Sequence, residues 1–313
     1  MNILVTEPGG FSPHARQLLE KAGHRVTFFA GTLPPSRVEL EGVDGLIVRL
    51  GVHWTASLLE RCSALRFIAT PTTGLTHVDV GAADQRGIEV LSLGGLPGLE
   101  RITSTPEHAL GLLLALARKT VPACRSVEEG CWERYAFTGT MLSGKDIGII
   151  GLGRTGRQFA RMVSAMDMVV HYFDPYVEEQ AYDRLSSLEA VAACCDVISV
   201  HAVLTDETRG LLGAALFEAC RPGALLVNTA RGELLDEEAL LDALQSGRLG
   251  GAALDVVCAE PVTGQRWDSP LRTYCQKHRN LIVTPHIAGA TVESIPKAEA
   301  LLAEAIVGRF GQS

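Results

Sequence analysis

Four residues that can move protons or hold anions follow apolar, strand-like segments in the second half of this 313-residue sequence. Arg231 comes just after Ala224–Asn228, Asp255 follows Ala252–Leu254 with Glu260 close behind, and His286 follows Leu281–Thr284. A doubly wound sheet binds ligands beyond the carboxyl ends of its strands, so all four would collect along one edge. A guanidinium offers a planar fork that can grip a carboxylate and polarise the carbonyl next to it. An imidazole, with an ordinary pKa of about 6.5, can give or take a proton near neutral pH. A carboxylate on its far ring nitrogen would orient the ring and favour its cation. Interconversion of a 2-keto acid and a 2-hydroxy acid needs this set. Arg231, Glu260 and His286 are therefore the candidate catalytic residues, with Arg231 also the anchor for the acid.

Such a reaction also needs a hydride carrier, and the sequence holds a signature for one. Gly151-Leu152-Gly153-Arg154-Thr155-Gly156 lies between the apolar segment Ile147–Ile150 and a helix pattern over Arg157–Met166. In that setting the first glycine makes the tight turn, the second admits a pyrophosphate, and the third lets helix and strand pack closely. Arg154 and Thr155 can add donors where the helix N-terminus favours an anion. Asp174, 174 − 156 = 18 residues past the last glycine, suits the adenosine ribose hydroxyls. The residues after it, Pro175-Tyr176-Val177, carry no cation for a 2′-phosphate, which favours NAD over NADP. Thr229 and Ala230, just before Arg231, complete the expected cofactor set together with Asp255, which suits the nicotinamide carboxamide.

The elements that must position these groups alternate along the chain. Asn2–Thr6, Arg25–Phe29, Gly45–Val48, Leu65–Ala69 and Glu89–Leu91 read as strands, with helix patterns over Ala15–Ala22, Ala56–Cys62 and Val80–Arg86. The longest helix pattern runs Thr105–Lys119, with Thr105 as N-cap and Pro106 at the first helical position. From Lys145 six further strands follow: 147–150, 169–173, 197–200, 224–228, 252–256 and 281–284. Leu235–Gln245 and Val292–Phe310 read as helices. Alternation of this kind implies α/β architecture with parallel sheets and right-handed crossovers.

Composition removes other classes. Lys plus Arg number 28 against 36 Asp plus Glu, a net charge of −8 that opposes nucleic acid binding. The longest apolar run, Ala109–Ala117, falls well short of the ~20 residues a membrane span needs. No secretory signal is visible at the N-terminus. The eight cysteines contain no C-x-x-C pair and no Cys/His ligand spacing, so no metal site is expected and a reduced, cytoplasmic setting is.

Taken together, these residues resemble the D-isomer-specific 2-hydroxyacid dehydrogenases, and within them the phosphoglycerate-dehydrogenase-like branch. The likeness spans essentially the whole chain. It is carried by the glycine run 151–156, by Leu226-Val-Asn-Thr-Ala-Arg-Gly-Glu233, by Ala253-Leu-Asp-Val-Val-Cys-Ala-Glu-Pro261 and by Thr284-Pro-His-Ile-Ala-Gly-Ala-Thr291. The resemblance implies that Arg231, Glu260 and His286 form the catalytic set. It further implies a Rossmann NAD-binding domain over 101–286, a smaller flavodoxin-like substrate domain built from 1–100 and 287–313, and a homodimer formed through the NAD-binding domain. Thr72-Thr73-Gly74-Leu75 resembles the family's glycine turn, so Thr73 and Gly74 would hold the substrate carboxylate on backbone amides.

Three departures stand out. The family's H-x-P reads His201-Ala202-Val203 here. The stretch Ser92–Ser104 is longer than the family's common loop and carries Glu100 and Arg101, so Arg101 is expected to read a second anionic group such as a phosphate or phosphonate. The sequence ends soon after Phe310, short of the regulatory domain of longer phosphoglycerate dehydrogenases. An alternative from another class is an NAD(H)-sensing interaction protein, co-repressor-like, with little turnover; the complete Arg/Glu/His set argues against it.

Overall fold

The computed structural model of the chain describes residues 1–7, 9–261 and 265–311. These form two compact units. One holds Met1–Ile102 together with the chain from Ala290 onward; the other holds Thr103–Pro261 and Arg266–Gly289. The divisions fall at 102/103 and 289/290, where the sequence suggested 100/101 and 286/287.

The first unit is built on a five-stranded parallel sheet of β1 (Asn2–Val5), β2 (Arg25–Phe28), β3 (Gly45–Ile47), β4 (Phe67–Ala69) and β5 (Glu89–Leu91), in the order β2-β1-β3-β4-β5. This is the flavodoxin-like order. β3 and β4 are buried throughout, as expected of central strands covered on both faces. Gly45 cannot be larger, since a Cβ there would stand 2.2 Å from the Phe67 ring. The C-terminal helix Ser294–Phe310 joins the core of this unit: Ala298, Leu302, Ala303 and Ile306 cluster with Ile3, Val5 and Leu19, and Phe310 stacks on Phe67 at 4.6 Å. On the same helix Glu299, 1% exposed, accepts the Ser12 N–H at 2.6 Å and pairs with Arg49.

The second unit carries seven parallel strands: β6 (Asp146–Ile150), β7 (Val169–Phe173), β8 (Asp183–Arg184), β9 (Val197–Val200), β10 (Ala224–Asn228), β11 (Leu249–Leu254) and β12 (Leu281–Val283). Their order, β12-β11-β10-β9-β6-β7-β8, is the Rossmann arrangement with one strand added at the β12 edge. The strand the sequence did not suggest is β8, two exposed residues pairing with β7 and bearing no apolar pattern. β11 starts three residues earlier than its apolar run because it opens on Leu249-Gly250-Gly251. Side chains have no room there: a Cβ at Gly250 would stand 2.5 Å from the Gly223 carbonyl oxygen.

The first helix of this unit runs Ser104–Ala117 with Thr103 before it, not Thr105–Lys119. Pro106 is therefore its third residue, still within the first turn where a missing N–H costs no hydrogen bond. Ala109, Leu112, Leu113, Leu116 and Ala117 of this helix share one core with Ile147, Ile149, Val227 and Ala253.

Removing a single partner from a buried ion pair strands the other. Glu299→Ala, which removes the acceptor of the Ser12 amide and leaves Arg49 only the Gly9 carbonyl, should lower the stability of the first unit by about 3 kcal/mol in urea unfolding; an unchanged midpoint would contradict the packing described for the terminal helix.

Candidate active site

The turn after β6 shows why three glycines are needed. Gly151 has φ +87°, and a Cβ on it would stand 2.7 Å from the Ala202 backbone. At Gly156 a Cβ would meet the Gly151 carbonyl oxygen at 2.2 Å, so the helix can approach the strand only without a side chain. Gly153 faces nothing within 4 Å. The helix itself spans Arg154–Ser164, beginning three residues before the apolar pattern does, with Gly153 as its N-cap. Arg154, Thr155 and Gly156 thus form its first turn, whose N–H groups have no partners within the helix. Such a turn, open at Gly153, fits an anion.

Asp174 follows β7 and is 9% exposed. Its Oδ2 accepts the Leu152 N–H at 2.8 Å, and Oδ1 accepts those of Tyr176 and Val177 at 2.9 and 3.1 Å. The carboxylate therefore ties the glycine turn to the end of β7. At the end of β10, the Thr229 hydroxyl is buried with no hydrogen-bond partner among the described residues. Buried polar atoms are seldom left so, and an orphan at a strand's carboxyl end fits a ligand that supplies the missing bond. His201, after β9, packs against Phe159 (centroids 4.9 Å apart) and its Nε2 pairs with Ser199 Oγ at 2.9 Å. Burial pushes its pKa down to about 3, so the ring is neutral. These groups suit a dinucleotide.

The candidate catalytic residues lie on three turns of the second unit. Asn228, fully buried, donates from Nδ2 to the Arg231 carbonyl at 2.9 Å and accepts the Ala230 N–H at 2.9 Å, which fixes the turn after β10. Arg231 Nη1 donates to the Ala230 carbonyl at 2.6 Å. Burial pulls its pKa below the ordinary guanidinium value, while the carboxylates of Glu260 and Glu233 act in the opposite sense. Gly232 permits the turns after β10 and β11 to abut, since a Cβ there would sit 2.1 Å from the Val257 carbonyl carbon. Glu237 Oε1 accepts the Cys258 N–H at 2.7 Å, and Ala259 takes a left-handed backbone (φ +50°) just before Glu260. Glu260 Oε2 then accepts a hydrogen bond from His286 Nδ1 at 2.6 Å. With Nδ1 committed to the carboxylate, Nε2 is the nitrogen left for a reacting group.

Asp255 lies beneath this pair, 1% exposed. Its Oδ1 accepts from Thr284 Oγ1 at 2.5 Å and from the Ile287 N–H at 3.0 Å; its Oδ2 accepts the Ala288 N–H at 2.8 Å. Burial alone would raise its pKa. Hydrogen bonds from His108, Thr284, Ile287 and Ala288 outweigh that and hold it below the usual carboxylate range. Both oxygens are thus engaged by the chain itself. The turn so held contains His286, whose own backbone is left-handed at φ +52°. Sequence reasoning gives no role to His108 or Glu237, which act through contacts between distant elements, and Thr284 figures in it only as the start of the run that holds His286.

In the first unit, Thr73 is exposed and Gly74 half-buried in the turn after β4. Thr72 Oγ1 donates to the Gly74 carbonyl at 2.8 Å and pairs with Thr70 Oγ1 at 3.0 Å, which in turn meets His77 Nε2 at 3.0 Å. Arg101 ends the one-turn helix Leu99–Arg101; its side chain is 85% exposed, with Nε 4.0 Å from Glu100 Oε1. Among the described residues, no group of three or more His, Cys, Asp or Glu could hold a metal ion, and no helix is long and apolar enough to cross a membrane. All eight cysteines are free.

Comparison with known proteins identifies the family. Residues 110–288 match the family model for the NAD binding domain of D-isomer specific 2-hydroxyacid dehydrogenases. The chain is 38% identical over 312 residues to a D-3-phosphoglycerate dehydrogenase of Archaeoglobus fulgidus, covering 98% of this chain and 57% of that protein. It spans about half the length of the curated relatives it matches. Among solved structures, the TT0316 protein of Thermus thermophilus is 34% identical with a TM-score of 0.82, covering 97% of this chain and 95% of that one. A D-lactate dehydrogenase from Aquifex aeolicus, solved with NAD and lactic acid, is 25% identical with a TM-score of 0.84, covering 98% and 95%. The chain belongs to the D-isomer specific 2-hydroxyacid dehydrogenase family, and residues 110–288 are its NAD binding domain.

Proposed function

We propose that this protein transfers a hydride between NAD and a D-2-hydroxy acid/2-keto acid pair, with Arg231, Glu260 and His286 as its catalytic residues. The observation that carries this reading is the 2.6 Å hydrogen bond between His286 Nδ1 and Glu260 Oε2, within the electrostatic reach of the half-buried Arg231 guanidinium. The bound nicotinamide supplies or receives the hydride. Gly151, Gly153, Arg154, Thr155 and Gly156 would cradle its pyrophosphate, Asp174 the adenosine ribose, and Thr229 and Ala230 the nicotinamide side, while Asp255, closed off by the chain, would hold the turn that carries His286.

The remaining work falls to this chain's side chains. Arg231 grips the substrate carboxylate and polarises the C2 carbonyl. Half-buried, its charge acts more strongly than it would in bulk water. His286 delivers a proton from Nε2 to the nascent alkoxide during reduction and removes it during oxidation. Glu260 keeps the ring oriented and stabilises the imidazolium. In the first unit, Thr73 and Gly74 are the residues that the family resemblance gives for holding a carboxylate on backbone amides. The substrate class we favour carries a phosphate or phosphonate, because the matched relatives include enzymes named D-3-phosphoglycerate dehydrogenase and Arg101 presents a solvated guanidinium.

We further propose a homodimer formed through the second unit. Val127, Trp132, Tyr135 and Met141 expose apolar surface within one stretch of it, Trp132 at 81%, and such patches mark association sites.

NADH oxidation measured over glyoxylate, hydroxypyruvate, phosphohydroxypyruvate and phosphonopyruvate should reveal a preferred keto acid. With that acid, His286→Ala should lower kcat by ~10²–10⁴ while NADH affinity holds. Arg231→Ala should act mainly by weakening binding of the acid. A wild type inert toward every keto acid, or a His286→Ala variant as fast as wild type, would contradict the reading. Arg101→Ala should lower kcat/KM for phosphorylated acids and leave the others unchanged; equal kcat/KM for all acids removes Arg101 from the site. In sedimentation the protein should run as a dimer, and Trp132→Ser with Tyr135→Ser should yield monomers. A monomeric wild type at micromolar concentration would refute the interface.

A further inference from the structure

His108 lies in the first turns of the helix Ser104–Ala117, far in sequence from the groups above, and no motif marks it. Its Nε2 stands 3.1 Å from Thr284 Oγ1 and 3.3 Å from Asp255 Oδ1, while Thr284 Oγ1 donates to the same Asp255 oxygen at 2.5 Å. Thr284 and Asp255 accept here, so Nε2 carries the proton. One chain of hydrogen bonds then runs from His108 through the Thr284 hydroxyl to Asp255, and from Asp255 to the Ile287 and Ala288 amides. The residue enclosed by those contacts is His286, in a left-handed backbone that β-carbon sterics disfavour.

We infer that His108 is a positioning residue for the proton-transfer step. By donating into the Thr284–Asp255 pair it holds the Thr284–Ala288 turn in the conformation that presents His286 to Glu260. His108 touches neither the reacting atoms nor the catalytic pair; it acts through Asp255. Without its donor the Thr284 hydroxyl can rotate, the Asp255 carboxylate loses one of the bonds that stabilise its charge, and the turn can relax toward ordinary backbone angles. The ring is half-buried, its side chain 24% exposed, so it can be exchanged for a polar residue of similar reach. This inference rests on the dehydrogenase reading of the same site.

The test compares wild type, His108→Ala and His108→Gln. An amide donor in glutamine can reach the Thr284–Asp255 pair; alanine cannot. His108→Ala should lower kcat by about tenfold to a hundredfold, the usual effect of removing a group that orients a catalytic one. KM for the keto acid and for NADH should stay near wild type, and melting temperature should change little. His108→Gln should recover most of the lost kcat. The inference is overturned if His108→Ala keeps full kcat, or if His108→Gln is as slow as His108→Ala. Failure of the underlying reading shows separately, as a wild type that oxidises no NADH with any keto acid. In that event the nitrogen NMR signal of His286 Nδ1 decides: it should shift in His108→Ala and return in His108→Gln. A signal unmoved by His108→Ala overturns the inference.

Discussion

A buried carboxylate bound to backbone N–H groups is the constraint on which the rest depends. Asp255 accepts from two consecutive amides, those of Ile287 and Ala288, so the residue before them is not free to choose its backbone. His286 consequently keeps φ +52°, a conformation that costs an L-residue about 1–2 kcal/mol and persists only where its surroundings compel it. The facing turn is held in the same manner. Glu237 accepts the Cys258 N–H, and Ala259, left-handed in its turn, delivers Glu260 to the imidazole. Two carboxylates that face inward thus aim a third carboxylate and a ring at one another.

The charge arrangement follows from this backbone work. In a half-buried site an ionised group is worth more than in water, and a misplaced one costs more. Asp255 stays ionised in spite of burial because donors surround it. Arg231 loses hydration and recovers part of the cost from Glu260 and Glu233. In the proposed mechanism this means that the cation and the proton relay are set before substrate arrives, so little reorganisation remains for the reaction itself.

Much of this was legible because some steric demands leave a mark in one-dimensional sequence. The glycine run 151–156 is such a case, as Gly151 and Gly156 each avoid a backbone clash under 3 Å. The parallel sheets were legible too, since strands covered on both faces are continuously apolar. What escaped has no local mark. β8 is two exposed residues held by pairing alone. The helices starting at Arg154 and Ser104 begin before their apolar faces do, so periodicity dates them late or misplaces the cap. His108 contacts its partners only across the fold, the Thr284 hydroxyl was hidden in a run read for His286, and Asp255, assigned by its strand end to a nicotinamide, engages both its oxygens with the chain.

The central claim is that this constellation transfers hydride to the C2 carbon of a keto acid. It is tested most directly by running the reaction with NADH carrying deuterium at both C4 positions and examining the product by deuterium NMR in a chiral solvating medium. Label is expected at C2 of a single enantiomer, the D-2-hydroxy acid. Cofactor that is consumed without label reaching C2, or product labelled in both enantiomers, would contradict it.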